Sequence, residues 1–473
     1  MTTSPPPAAP AAALPPPPAV AARAGQQVGA PTPASPGSPA SGAPAPAPAG
    51  GLQGRLASVE ASVRAAMAGT PGRLRAVGIV SVVATLLFGL AAGQAFRSAD
   101  GALGRAAANA DQLVRIQAIQ TNVVQADADA TNAFLVGGLE PPAQRADYTG
   151  AIASASELIA QAAQHQPADG AALGALNQSL VTYTSQVEQA RANNRQALPV
   201  GAQYLKSASA DLRAEALPLL TNLGEANNAR VTEEFDRAAR AALWLVVAGV
   251  LALAVLVLSL VWLARRTRRY LNLPLVVATA GVLVVLVVGA FVMAGAQSRA
   301  NDVRATSYTA LRSLAEARIA ANAAKSDASI SFLYLRTGGS FATYKSDYDA
   351  KVLQVGQSLQ RAGSAAPSDS TTDFVTWRKA ADTIFTTDFT TRPDDWIKAA
   401  NAMAKVDEPF NKPFLALDDA LAHQIGTEAD KVGTGLDDGR APIVVLGWAA
   451  LVVGLLAAVG SWAGIAQRLE DYR

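Results

Sequence analysis

Residues 241–297 read AALWLVVAGVLALAVLVLSLVWLARRTRRYLNLPLVVATAGVLVVLVVGAFVMAGAQ. Two uncharged apolar runs, Ala241 to Ala264 and Leu275 to Gln297, flank a short segment, 265–274, that holds Arg265, Arg266, Arg268 and Arg269. About 20 apolar residues in a helix cross a hydrocarbon layer of about 30 Å, and each run meets that length. Two more runs of the same kind, Ala76 to Phe96 and Ala441 to Ala466, are again bordered by charges. The expected fold is therefore an all-α membrane protein with four transmembrane helices, at 76–96, 241–264, 275–297 and 441–466. Its whole composition agrees: of 473 residues, 50% are hydrophobic and only 16% charged, which is too apolar for a water-soluble chain.

Short basic flanks set orientation, because long loops translocate largely regardless of charge. Arg73 and Arg75 precede the first span, the arginines of 265–274 join the second to the third, and Arg468 follows the fourth. Both termini and the connector are expected in the cytoplasm of a multi-pass plasma-membrane protein, with 97–240 and 298–440 outside. Residues 1–50 hold more than half of the chain's 27 prolines and a single charge, Arg23, so they read as a disordered cytoplasmic tail. Leu52, Leu56, Val59, Val63 and Met67 mark a cytoplasmic juxtamembrane amphipathic helix within 51–75, and 467–473 form a short cytoplasmic tail.

The two outer segments are nearly equal in length and repeat each other. Asp129-Ala-Thr-Asn-Ala-Phe-Leu135 matches Asp327-Ala-Ser-Ile-Ser-Phe-Leu333, and Asp147-Tyr148 matches Asp347-Tyr348. In the first, Ile116, Ile119, Val123, Ala126, Ala130 and Ala133 keep alternating spacings of three and four, as do Leu314, Ala317, Ala321, Ala324, Ala328 and Ser331 in the second. Turn residues at Gly137 to Pro142, Pro167 to Gly170 and Pro199 to Gly201, then at Gly338 to Ser340, Pro367 to Ser370 and Arg392 to Asp395, divide each into about four helices. Two duplicated extracytoplasmic up-down four-helix bundles are expected, each feeding directly into its spans. Gly89-xxx-Gly93 and Gly460-xxx-Gly464 suit close helix packing, either within one four-span bundle or in a homodimer.

Chemistry has little material. There is no cysteine, so disulfides, thiolate nucleophiles and iron–sulfur clusters are excluded. The only histidines, His165 and His423, lie far apart in helical surface contexts. No phosphate-binding, dinucleotide-binding or nucleophile-elbow motif is present, and no cofactor, metal or catalytic residue is expected. Nucleic-acid binding would need a basic face with interleaved aromatics in a soluble domain, which is absent.

A span, a four-helix outer bundle, a returning span and a basic stretch resemble the sensor halves of bacterial chemoreceptors and histidine kinases. The connector 265–274 is too short for the two-helix relay those proteins use. Closer is a family of actinobacterial four-span proteins with duplicated outer bundles. They act between a solute-binding lipoprotein for glutamine, glutamate or aspartate and the soluble Ser/Thr protein kinase G. The Pro/Ala-rich start, the duplication, Trp262-Leu-Ala-Arg-Arg-Thr-Arg-Arg-Tyr270 and the ending Gln467-Arg-Leu-Glu-Asp-Tyr-Arg473 carry the resemblance. What it implies is relay of amino-acid availability to a Ser/Thr kinase by a sensor or adaptor that is not an enzyme. The alternatives are a non-switching structural or assembly protein of the envelope and a transporter. The last is disfavoured by spans that hold no charge.

Candidate ligand or partner residues are Asp129 and Asp327, equivalent in the repeat and beside the seam, where a solvated charge or an interhelical pair is the plainer reading. Arg336 could hold a carboxylate in two-pronged fashion or simply complement a helix C-terminus. Trp377, Trp396, Tyr344 and Tyr348 make the second segment the more aromatic one, as a binding surface or as core. Arg265, Arg266, Arg268, Arg269 and Arg468 serve topology, attraction to anionic membrane lipid, and docking of a cytoplasmic partner.

Overall fold

The computed structural model describes residues 70–135, 140–196, 198, 200–267, 272–337, 341–386, 393–405 and 408–470. The proline-rich tail, the juxtamembrane helix up to residue 69, and Arg268 and Arg269 lie outside them, as do the side chains of Arg336 and Arg468. The described helices all fall in one compact unit, Arg64–Arg473. They are α1 (Thr70–Leu135), α2 (Pro142–His165), α3 (Gly170–Arg195), α4 (Val200–Asp211), α5 (Leu217–Thr267), α6 (Leu273–Val303), α7 (Thr309–Thr337), α8 (Phe341–Ala362), α9 (Ser370–Thr386), α10 (Pro393–Ala404), α11 (Asn411–Asp437) and α12 (Ala441–Glu470). No strand occurs among the described residues.

Four rods dominate. Gly72–Leu135, Val200–Arg266, Leu273–Leu333 and Asn411–Gln467 are each continuous enough, long enough and apolar enough to cross a membrane. The first, of 64 residues, extends about 95 Å at 1.5 Å per residue, far beyond the bilayer. Span and bundle helix are thus one object. Two rods contain π turns, Leu212–Ala216 and Arg304–Tyr308, which bulge the helix without ending it.

In the membrane the rods form a ring in which the first touches the second and fourth, and the third touches the same two. Contact between the first and fourth rests on glycine. A Cβ on Gly454 would lie 2.6 Å from the Cα of Gly89, and Gly93 abuts Leu451. Gly460 and Gly464 face Pro274 and Asn272 at the start of α6. All four glycines read from the sequence are occupied within the chain, so a homodimer would have to use other surface. Toward lipid the spans present exposed Leu87, Leu90, Leu251, Leu258, Phe291 and Leu456. Trp244 and Trp448 mark the border on the bundle side, and Trp262 and Trp462 the border on the connector side, where amphipathic rings settle.

Outside the membrane every seam residue is buried, Ile116 to Ala133 on α1 and Leu314 to Ser331 on α7. Their period puts them on one helix face, and that face packs α1 on α2 and α5, and α7 on α8 and α11. Trp377 centres the second segment's core, with Phe414, Phe410 and Tyr348 at ring-centroid distances of 5.3, 6.1 and 6.2 Å. Trp396 stacks on Phe332 at 5.2 Å. Trp377 and Tyr348 are core and Trp396 packs against it, whereas Tyr344 is half-buried beside Arg213.

Two features depart from a pair of four-helix bundles. First, α10 ends at Ala404 and α11 begins at Asn411, a boundary that the turn signals did not mark. Pro409 offers no N–H to continue a helix, and Asn411 Nδ2 donates to the carbonyls of Met403 (2.6 Å) and Lys405 (2.9 Å). Second, α1 and α7 pack on each other, so one hydrophobic core runs through both segments.

Candidate functional site

The contact between α1 and α7 is where the polar chemistry gathers. Residues 126–135 and 320–333 are buried on every side, because each helix packs its apolar seam inward and its opposite face on the other helix. That opposite face is made of Ala128, Thr131, Ser326 and Ser329, small enough for two parallel helices to approach. It also carries Asp127, Asp129, Asn132, Lys325 and Asp327, all less than one-tenth exposed.

Arg213 bridges the two helices. It sits on the π turn Leu212–Ala216, whose extra residue turns this side chain inward. Its guanidinium pairs with Asp327 Oδ1, donates to Ser326 Oγ at 2.8 Å and approaches Asp127 Oδ2 at 3.4 Å. Asp127 also accepts from Ser326 Oγ (2.7 Å) and Ser209 Oγ (2.9 Å). Ser329 Oγ donates to Asn132 Oδ1, closing a second link between α1 and α7. Beside this, Lys325 lies over the Phe414 ring at 4.6 Å, and Arg318 grips Asp418 with two bonds of 2.9 and 2.8 Å while Asn322 adds a third of 2.8 Å.

The charges do not balance. Asp127, Asp129 and Asp327 face Arg213 and Lys325, which leaves one carboxylate more than there are cations. Burial raises the Asp129 carboxyl to about 6, against the opposing pull of Lys325, and Asp129 Oδ2 has no hydrogen-bond partner. Asp327 is likewise raised to about 6 by burial, with Arg213 opposing. A carboxyl raised in the folded chain stabilises the fold fully below its unfolded value near 4, and that contribution is lost as pH rises through about 6. Asp129→Asn removes this cost. It should stabilise the chain by on the order of 2 kcal/mol at pH 7.5 and by little at pH 4, read as thermal midpoints in detergent. Equal shifts at both pH values would show that charge at this position is immaterial.

Of the sequence candidates, Asp129 and Asp327 come together in this cluster, with Asp327 already engaged by Arg213. Both are buried, Asp129 at 8% and Asp327 at 0% exposure. Arg336 closes α7, and its side chain lies outside the described residues. Arg265 and Arg266 line a groove of about 700 Å³ between the first two spans, with Val77, Val80, Leu258 and Trp262. Arg213, Asp127, Lys325 and the Arg318–Asp418 pair were not singled out from the sequence. A signal existed for two of them, since Asp127 and Lys325 occupy equivalent places two residues before Asp129 and Asp327. His165 and His423 are exposed.

Four membrane-length rods carrying a helical assembly with a buried ionic cluster define the class: an all-α, multi-pass membrane protein. Residues 102–236 match the family model of the actinobacterial sensor domain, which supports an actinobacterial sensor protein. The matched stretch begins just beyond the first span, ends just before the second, and includes Asp127, Asp129 and Arg213. No curated protein and no solved structure gives a match.

Proposed function

We propose that this chain is a transmembrane sensor or adaptor, without catalytic activity of its own, that relays an extracytoplasmic signal to a cytoplasmic Ser/Thr kinase. The observation that carries the reading is continuity: the helix that forms the first wall of the matched sensor domain is the same rod that crosses the membrane. A stiff rod transmits axial shift or rotation over its length, whereas a Gly- or Pro-rich joint would absorb it. The ionic cluster ties the two outer segments together, so motion of one is felt by all four rods. Basic flanks favour termini and connector inside. The resemblance to the actinobacterial four-span family favours amino-acid availability as the signal, delivered directly or by a solute-binding lipoprotein.

Cross-linking in native membranes, followed by identification of what is captured, tests the reading. A solute-binding lipoprotein should be captured on one side and a Ser/Thr kinase on the other. Replacing Arg265, Arg266, Arg268 and Arg269 by Gln should lower kinase capture without loss of membrane insertion. Capture of cell-wall synthesis proteins alone, with no kinase, would overturn it.

A further inference from the structure

At the bundle-side border of the membrane a groove of about 730 Å³ lies between α1 and α5. Its rim carries four arginines, Arg97, Arg105, Arg237 and Arg240, and its floor is Ala91, Ala95, Ala241 and Ala248 beside the Trp244 indole. The two halves of the rim differ. Arg105 is held by Glu234 at 2.9 Å, and Arg237 by Glu233 at 2.7 Å. Arg97 stacks over Trp448 at 5.3 Å, and neither it nor Arg240 has a carboxylate partner among the described residues; both are exposed.

We propose that this groove binds one anionic phospholipid of the bundle-side leaflet, with Arg97 and Arg240 on the phosphate and an acyl chain along the alanine floor. Charge complementarity selects the sign of the headgroup, because two cations without carboxylate partners stand where headgroups lie. The floor selects a lipid over a soluble anion. From Arg97 past Gln94 to Ala91, and from Arg240 to Ala248, the groove descends roughly 10 Å along the helices into the hydrocarbon depth, where its lining below Gln94 is alanine and the Trp244 ring. Small side chains there leave room for a chain, and the mostly exposed Trp244 walls it. With the bundles outside, as the basic flanks of the connector favour, topology does not account for these arginines, since basic residues beside a span favour the cytoplasmic border. The site does not depend on the relay proposed above, and a failure here would leave that reading untouched.

The full chain, reconstituted in vesicles of equal phosphatidylglycerol and phosphatidylcholine and then re-extracted, can be assayed by native mass spectrometry for retained lipid. One phosphatidylglycerol should remain in preference to phosphatidylcholine. The double variant R97Q/R240Q should bind it about 30-fold more weakly. Ala91→Phe, which fills the floor and keeps every charge, should also lose it. R265Q/R266Q, which alters the groove at the other border, should retain it. Unchanged retention in R97Q/R240Q, loss only in R265Q/R266Q, or displacement by millimolar glycerol phosphate would each overturn the assignment. Melting of each variant in phosphatidylcholine alone separates loss of the lipid from loss of the fold.

Discussion

Arg213→Met should destabilise the chain by about 3–5 kcal/mol, the cost of leaving buried carboxylates without their cation. Asp127 and Asp327 are each nearly inaccessible to water, and Arg213 is the group that pairs with both. Burial works against the charged guanidinium, yet the pull of Asp327 and Asp127 holds it above its ordinary value, so it enters the cluster fully ionised. Loss of that charge is followed by proton uptake on the carboxyls or by parting of α1 from α7. The two routes differ in pH dependence. With proton uptake, R213M should regain much of its thermal midpoint at pH 5, and adding D127N and D327N should restore it at pH 7.5. If R213M melts within a degree or two of the parent at pH 7.5, the cluster does not hold the two segments together.

Gly454→Leu should be nearly as costly, at about 3 kcal/mol, because the first and fourth rods touch backbone to backbone at Gly89. A Cβ at 454 would already lie 2.6 Å from the Gly89 Cα and 3.3 Å from the Thr85 carbonyl oxygen, and neither neighbour is a side chain that can turn away. The rods must separate, and with them the bundle helices they continue into. Thermal midpoint and protease resistance in detergent should both fall. A different result would be informative: an unchanged midpoint together with a change in oligomeric mass would mean that the glycine face serves contact between chains.

The four spans were legible because the reading required only a count. A run long enough to cross the bilayer with no ionised side chain has one favourable solvent, whatever its neighbours. The bundle seams were legible for a related reason, since Ile116, Ile119 and Val123 repeat with the helix and need a dry face. The other face of α1 was not. Ala128, Thr131 and Asn132 are as suited to water as to a tight interface, and a carboxylate beside a seam, such as Asp129, is as compatible with solvent as with a partner until another helix covers it. The boundary between α10 and α11 carried a local sign in Pro409. The inward turn of Arg213 carried none, because an extra residue in a helical turn depends on what the surrounding helices demand.

Local solvation therefore decided that this is a helical, four-span membrane protein with α-helical seams, since each such statement depends on a residue and its near neighbours along one helix. Tertiary structure alone decided that the two outer segments share a core, that Arg213 bridges Asp127 and Asp327, and that Gly89 meets Gly454. Those contacts join residues from 86 to 365 positions apart, and their energies depend on the low dielectric and close packing that exist only once the rods stand side by side.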